Sequence, residues 1–142
     1  MAISKATLAT IQQAYQVWAE TKGDDVSALL DLMTDDVEVT TLPDGREPLM
    51  FTKACHGKAE MTQYFHALIG DWSIVHADME DMISERDLVV VLLTTCWKNR
   101  RTDKEFTSPA AHVWRFRDEH AYQIRLFFDS AKWSAAADGK SR

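Results

Sequence analysis

The stretch AHVWRFRDEHAYQIRLFFDSAKW, residues 111–133, indicates two β-strands joined by a short charged turn. Side chains of a strand alternate between its two faces, and a two-residue turn at Asp118 and Glu119 would pair Arg117 with His120. In that register one face mixes aromatic and ionisable side chains: His112, Trp114, Arg125, Phe127 and Asp129. The opposite face is apolar: Tyr122, Ile124, Leu126 and Phe128. A slip of one residue would instead move His112 to the apolar face.

The two faces predict different surroundings. A lining that mixes aromatic and ionisable groups is typical of a ligand cavity, where apolar walls exclude water and a few polar groups orient the ligand. The apolar face would then be free to pack against a second subunit. We therefore expect a small-molecule cavity on one side of the sheet and a homodimer through its outer face.

Helical spacing of apolar residues dominates the first half of the chain. The pattern predicts three helices: residues 4–21, a short one from Asp24 or Asp25 to before Asp35 that carries Met33, and one from Gly57 to about Gly70. Between the last two, the alternating stretch VEVTTL (37–42) predicts a half-buried strand.

The second half of the chain has the pattern of strands. They are expected over residues 72–83, 87–98, 105–117 and 121–129, and the run LVVVLL (88–93) indicates a central strand covered on both faces. Three helices followed by strands predict an α+β fold: a cone-like, curved antiparallel sheet with the helices packed on its concave face. A single domain over 1–142 is expected, with residues 134–142 forming a loose polar tail.

Composition limits the function classes. The chain has 142 residues, of which 46% are hydrophobic, so one domain can bury a substantial core. The net charge of −6 argues against nucleic acid as a partner, because nucleic-acid-binding domains usually carry a basic face. The basic segment KNRRTDK (98–104) is interpreted as a hairpin turn in water.

The two cysteines and the N-terminal segment indicate the cellular compartment in which the protein is expected. Cys55 and Cys96 lie far apart and follow no paired spacing, which predicts neither a disulfide framework nor a zinc site. The first residues lack a signal-peptide pattern, and no apolar run reaches the length of a membrane span. A soluble, cytoplasmic protein with no membrane partner is expected.

Three motifs, taken in order, resemble the nuclear transport factor 2-like superfamily. They are GDDVSALLDLMTDDVEVT (23–40), HGKAEMTQYF (56–65) and HVWRFRDEHAYQIRLFFD (112–129), and the similarity extends over about residues 5–133. This superfamily of cone-shaped α+β folds includes ketosteroid isomerases and SnoaL-like polyketide cyclases, the branch that the chain resembles most. The resemblance implies the fold, whereas function varies widely within such superfamilies.

Residue by residue, the resemblance implies only part of a known mechanism. Tyr15 matches the tyrosine of ketosteroid isomerases, and His112 stands where their donor aspartate would be, but Thr41 stands at the position of their base. Steroid isomerisation by that mechanism is therefore not expected. In SnoaL-like cyclases an aspartate that ends the last strand acts as acid or base, and the FFD motif puts Asp129 at that place.

The same residues are candidates on chemical grounds. A carboxyl group held against aromatic rings loses hydration, which would raise the pKa of Asp129 and let it exchange a proton. His112, with Tyr15, would stabilise oxyanion charge. Expected ligand contacts are Trp18, Trp97, Trp114, Arg125 and Phe127. The structural alternatives are that Asp129 caps the strand end or pairs with Arg125, that His112 is a wall residue, and that Tyr15 and Trp18 only fill the core.

The leading hypothesis is a cofactor-independent enzyme that transfers a proton on a hydrophobic, carbonyl-containing molecule, as an isomerase, cyclase or dehydratase. The alternative is a non-catalytic binding or dimerisation module of the same fold. No metal is expected, because His76, Asp78 and Glu80 have no second histidine at a matching spacing.

Overall fold

The computed structural model describes residues 2–138, which form an α+β fold around a curved, open sheet. The elements in chain order are α1 (Lys5–Glu20), α2 (Ser27–Asp31), β1 (Met33–Thr41), a short 3₁₀ helix (Met50–Thr52), β2 (Cys55–His56), α3 (Lys58–Asp71), β3 (Trp72–Glu85), β4 (Leu88–Asn99), β5 (Glu105–Arg117), β6 (His120–Phe128) and α4 (Ser130–Ala137).

The sheet has the strand order β2-β1-β6-β5-β4-β3. Its neighbouring strands are antiparallel, as expected, except for β1 and β6, which run parallel and make the sheet mixed. Consecutive strands joined by tight turns must be antiparallel. No such turn joins β1 to β6, because four strands, the 3₁₀ helix and α3 lie between them in the chain.

Helix α1 places aromatic side chains against the inner face of the sheet. Its N-cap is Ser4, whose hydroxyl accepts a hydrogen bond from the Thr7 backbone N–H at 3.1 Å. The chain leaves the helix at Gly23, which has a φ of +82° and lies so close to Ile69 that a Cβ would come within 2.7 Å of its side chain. The buried residues of α1 are Thr7, Ile11, Ala14, Tyr15 and Trp18.

The helix and strand boundaries differ from the expected ones at two places. Met33, expected on the second helix, begins β1, because α2 ends at Asp31. Residues 134–137, expected to be part of a loose tail, belong to helix α4, which buries Trp133, Ala136 and Ala137. The burial of these apolar side chains stabilises the helix. The end of the expected tail, residues 139–142, lies outside the described residues.

Helices α1, α3 and α4 pack against the sheet on the side where β4 and β5 present buried side chains, including Val89, Val91 and Trp114. The core is continuous from α1 through the sheet to α4. The candidate cavity lies inside this core.

Candidate functional site

A cavity of about 70 Å³ lies between the helices and the inner face of the sheet. Four indole rings contribute to its walls: Trp18, Trp97, Trp114 and Trp133. None of the described residues that line it is Asp, Glu, Lys or Arg. Its polar side chains are Tyr15, Tyr64, Thr95 and His112, besides the indole N–H groups. The cavity is therefore apolar and carries few groups able to orient a ligand.

A hydrogen-bonded series joins three of these residues across two elements. The indole N–H of Trp114 donates to Tyr15 Oη at 2.9 Å, and Tyr15 Oη lies 2.7 Å from His112 Nδ1. An indole nitrogen can only donate, so the Tyr15 proton remains available for His112 Nδ1. The series then favours the imidazole tautomer that carries its proton on Nε2. No residue within 2–138 forms a hydrogen bond with Nε2.

Burial controls the protonation of this series. The loss of hydration lowers the pKa of His112 to about 4, so the imidazole is neutral at pH 7. Burial also raises the pKa of Tyr15 well above its ordinary value, and the hydrogen bond from Trp114 offsets only part of this effect. Both groups are thus uncharged hydrogen-bonding partners at neutral pH.

A β-bulge in the last hairpin decides which residues share the cavity. The turn pairs Arg117 with His120 as expected, but Phe116 pairs with Ala121 and Arg115 with Gln123, so Tyr122 is an extra residue. The bulge shifts the register by one residue and pairs His112 with Leu126 instead of Arg125. The side of β6 that was expected to face outward therefore faces the cavity.

The shifted register changes which of the predicted residues line the cavity. Ile124, Leu126 and Phe128 line the cavity, so the expected dimer face through them was wrong. Tyr122 lies on the Arg117 guanidinium, 4.3 Å from Cζ to the ring centre. Of the predicted site residues, the cavity contains Tyr15, His112, Trp18, Trp97 and Trp114.

Three predicted site residues lie elsewhere. Arg125 is exposed and lies over the Phe127 ring at 5.4 Å, and neither residue lines the cavity, because the bulge turns both outward. Asp129 is also exposed, and its carboxylate accepts a hydrogen bond from the Lys132 backbone N–H at 3.2 Å as the N-cap of α4. The expected placement of Asp129 against aromatic rings in the cavity was therefore wrong, and the alternative of a cap describes its position.

Several cavity residues were not among the predicted site residues. Tyr64 and Phe65 come from α3, Phe51 from the 3₁₀ helix, and Trp133 from α4, where it contacts Phe51 and Trp97. The helical spacing of Met61, Phe65 and Leu68 could have included Tyr64, three residues after Met61. Trp133 is positioned by α4, whereas most of the residues of this helix were expected to belong to a loose tail.

The other candidate clusters are on the surface. His76 pairs with Asp78 at 3.1 Å, and both are exposed. Within residues 2–138 there is no group of three His, Cys, Asp or Glu side chains placed to hold a metal ion. Cys55 and Cys96 are buried free thiols. No helix in the described part of the chain has the length and apolar character needed to cross a membrane.

Comparisons with known proteins agree with this fold. Residues 11–124 match the family model described as a SnoaL-like domain. No curated protein matches the chain. A putative isomerase from Rhodopseudomonas palustris has a similar structure, with a TM-score of 0.75 and 15% identity over 97% of this chain and 100% of that one.

Two further structures are similar at low identity. One is an NTF2-like protein of unknown function from Burkholderia pseudomallei, with a TM-score of 0.78 and 21% identity over 94% of this chain and 98% of that one. The other is a putative SnoaL-like polyketide cyclase from Mesorhizobium loti, with a TM-score of 0.69 and 13% identity over 84% and 96%. At these identities the likeness concerns the fold, which is the cone expected from the sequence.

Proposed function

Because the chain belongs to the SnoaL-like domain family, we propose that it is a small cofactor-independent enzyme that transfers a proton on an apolar, carbonyl-bearing molecule. The reaction would be an isomerisation, ring closure or dehydration, in keeping with the isomerase and cyclase names of similar structures. The observation that carries the proposal is the series Trp114–Tyr15–His112, which presents a neutral, oriented imidazole to an apolar cavity.

The cavity supports an uncharged substrate. A charged group would lose its hydration there and find no countercharge among the described lining residues. A flat, apolar molecule would gain contact with the indole rings, and its carbonyl would accept a hydrogen bond from the Nε2–H of His112. Binding thus combines apolar burial with one directed hydrogen bond.

His112 has two ways to assist proton transfer. With its proton on Nε2, it donates to the carbonyl oxygen and stabilises the negative charge that develops as a water molecule takes up the proton from the neighbouring carbon. In the other tautomer Nε2 accepts the substrate proton, while Nδ1–H donates to Tyr15 Oη. Tyr15 holds the ring in place in both cases, and Trp114 in turn holds Tyr15. Asp129 has no part in this proposal, because its carboxylate caps α4.

The exchange of α-protons of 2-tetralone in D2O at neutral pD, followed by NMR, tests the proposal without a known substrate. We expect the protein to accelerate the exchange, and His112→Gln to slow it by roughly 10- to 1000-fold. His76→Gln is the matched control, because it removes an exposed histidine outside the cavity. No acceleration despite binding of the ketone, or equal rates in both variants, would contradict the proposal.

The second candidate is a non-catalytic binding protein. Two observations favour it: the described lining residues include no carboxylate, and the volume of about 70 Å³ lies below the roughly 300–1,000 Å³ of most ligand pockets. In that case His112 would only orient the ligand. Binding of 2-tetralone with no exchange above the buffer rate would support this candidate over the enzyme.

We also propose a homodimer through the face of the sheet opposite the cavity. Val90 and Leu92 lie there, since their neighbours Val89, Val91 and Leu93 are buried inside. Two rows of paired residues cross this outer face: Ile83–Val90–Val113–Arg125 and Asp81–Leu92–Ala111–Phe127. Each row is apolar in the middle. At the edges of this face, Asp81 on β3 is acidic and Arg125 on β6 is basic. A second copy of the chain therefore offers complementary charge.

A further inference from the structure

Tyr64 is a buried phenol whose hydroxyl has no partner among residues 2–138. The residue is 8% exposed and lines the cavity from α3. Its Oη forms no hydrogen bond with any residue that the structure describes. The hydroxyl of a buried tyrosine usually finds a hydrogen-bond partner. The group therefore has an unfilled bonding capacity next to the cavity.

The surroundings of Tyr64 keep this hydroxyl a donor. Its ring packs on Phe51 and Phe65, with centre distances of 5.4 and 6.0 Å. Burial raises the pKa of Tyr64 well above its ordinary value, and the nearby Cys55 adds to this effect. The oxygen is not fully enclosed, since it is absent from the buried side-chain atoms that lack a partner. A small molecule can therefore reach a protonated phenol there.

Three other cavity groups also lack a partner among residues 2–138: His112 Nε2 on β5 and the indole N–H groups of Trp18 and Trp133. Of these, His112 Nε2 is the one that the proposed function assigns to the substrate carbonyl. Tyr64 belongs to the helical layer and His112 to the sheet, so a molecule bound between the layers meets one donor from each. A ligand with a single oxygen would satisfy only one of them. The other would stay buried without a partner, which costs binding energy.

We propose, resting on the proposed function, that Tyr64 is a specificity-determining residue that binds a second oxygen of the substrate. The substrate class is then an uncharged aromatic molecule with two oxygen functions: a carbonyl at His112 and a hydroxyl or second carbonyl at Tyr64. Tyr15 cannot take the second role, because its hydroxyl is already engaged by Trp114 and His112.

Ligand-observed NMR with acetophenone and its 2-, 3- and 4-hydroxy isomers tests this assignment. The isomers place the second oxygen at three different separations from the carbonyl. We expect at least one isomer to bind the unmodified protein about three- to tenfold more tightly than acetophenone. In Tyr64→Phe that preference should be abolished, so that the same isomer binds this variant no more tightly than acetophenone does. Tyr122→Phe is the matched control and should preserve the preference, because Tyr122 lies outside the cavity.

The outcomes separate this inference from the function on which it rests. If acetophenone binds but no isomer binds better, or if Tyr64→Phe keeps the preference, the role of Tyr64 is overturned and the proposed function stands. If none of the four compounds binds, the proposed function fails and the inference fails with it. If Tyr64→Phe does not fold, equal affinity of the unmodified protein for acetophenone and for all three isomers still overturns the role of Tyr64.

Discussion

At the scale of single residues, Tyr15 is the hydrogen-bonding centre of the cavity. Tyr15→Phe keeps the ring but leaves the buried Trp114 N–H without an acceptor. An unpaired buried donor costs about 1–3 kcal/mol, so we expect the free energy of unfolding to fall by that amount in urea denaturation. Tyr122→Phe, at a half-buried position outside the cavity, should change it by less than about 0.5 kcal/mol. Equal stability of the two variants would mean that the Trp114–Tyr15 bond contributes little.

His112 should make stability depend on pH. Its pKa is about 4 in the folded chain and about 6.5 when unfolded, so the unfolded state binds more protons between these values. The stabilising contribution of His112 is therefore complete above pH 6.5 and is lost as the pH falls toward 4, with a slope of at most about 1.4 kcal/mol per pH unit.

The measurement is urea denaturation from pH 7 to pH 4.5 on the unmodified protein and on His112→Gln. Other titrating groups are common to both, so the difference between the two curves reports His112. We expect the difference to shrink as the pH falls, and a proton NMR titration should give an imidazole pKa well below 6.5. A constant difference across this range would contradict the burial effect.

At the scale of elements, substitutions of Asp129 distinguish the role of a catalytic carboxylate from that of a helix cap. Asn caps helices as well as Asp does, whereas Ala does not. Asp129→Ala should therefore lower the free energy of unfolding by about 0.5–2 kcal/mol, and Asp129→Asn should leave it nearly unchanged. Both variants should retain the α-proton exchange of 2-tetralone. Loss of exchange in Asp129→Asn with normal stability would restore the catalytic interpretation of this residue.

The elements themselves were largely predictable from the sequence, since periodicity located α1, α3 and the four strands of the second half. The hairpin register was not. Arg117 and His120 pair as the turn residues indicate, but the extra residue Tyr122 reverses every side chain of β6 beyond it. Either face of β6 is plausible as a core face in this sequence, so alternation alone could not reveal the bulge.

The predicted site was affected by the same reversal. Tyr15, Trp18 and Trp97 depend on other elements and were placed correctly in the cavity, and His112 and Trp114 kept their inner position on β5. Only the β6 candidates, Arg125 and Phe127, and the following Asp129 changed sides. Tyr64 was missed because a phenol at helical spacing has the pattern of an ordinary core residue, and its unpaired hydroxyl is a property of the tertiary packing.

At the scale of the whole molecule, charge on the outer face selects one arrangement of the proposed homodimer. Two sheets that pack face to face are related by a twofold axis lying between them. An axis parallel to the strands places β3 of one subunit over β6 of the other, and so brings Asp81 near Arg125 of the second copy. An axis across the strands places β3 over β3, with like charges opposed.

Sedimentation at micromolar concentration tests both the interface and its arrangement. Val90→Lys puts a charge in the middle of the face and should yield monomers, whereas Met50→Lys, at an exposed position outside the four strands of this face, should not. In the parallel-axis arrangement Asp81→Arg weakens the dimer, and adding Arg125→Asp restores it, because the pair attracts again with its signs exchanged. If Asp81→Arg strengthens the dimer, the axis runs across the strands; a monomeric unmodified protein would remove the interface altogether.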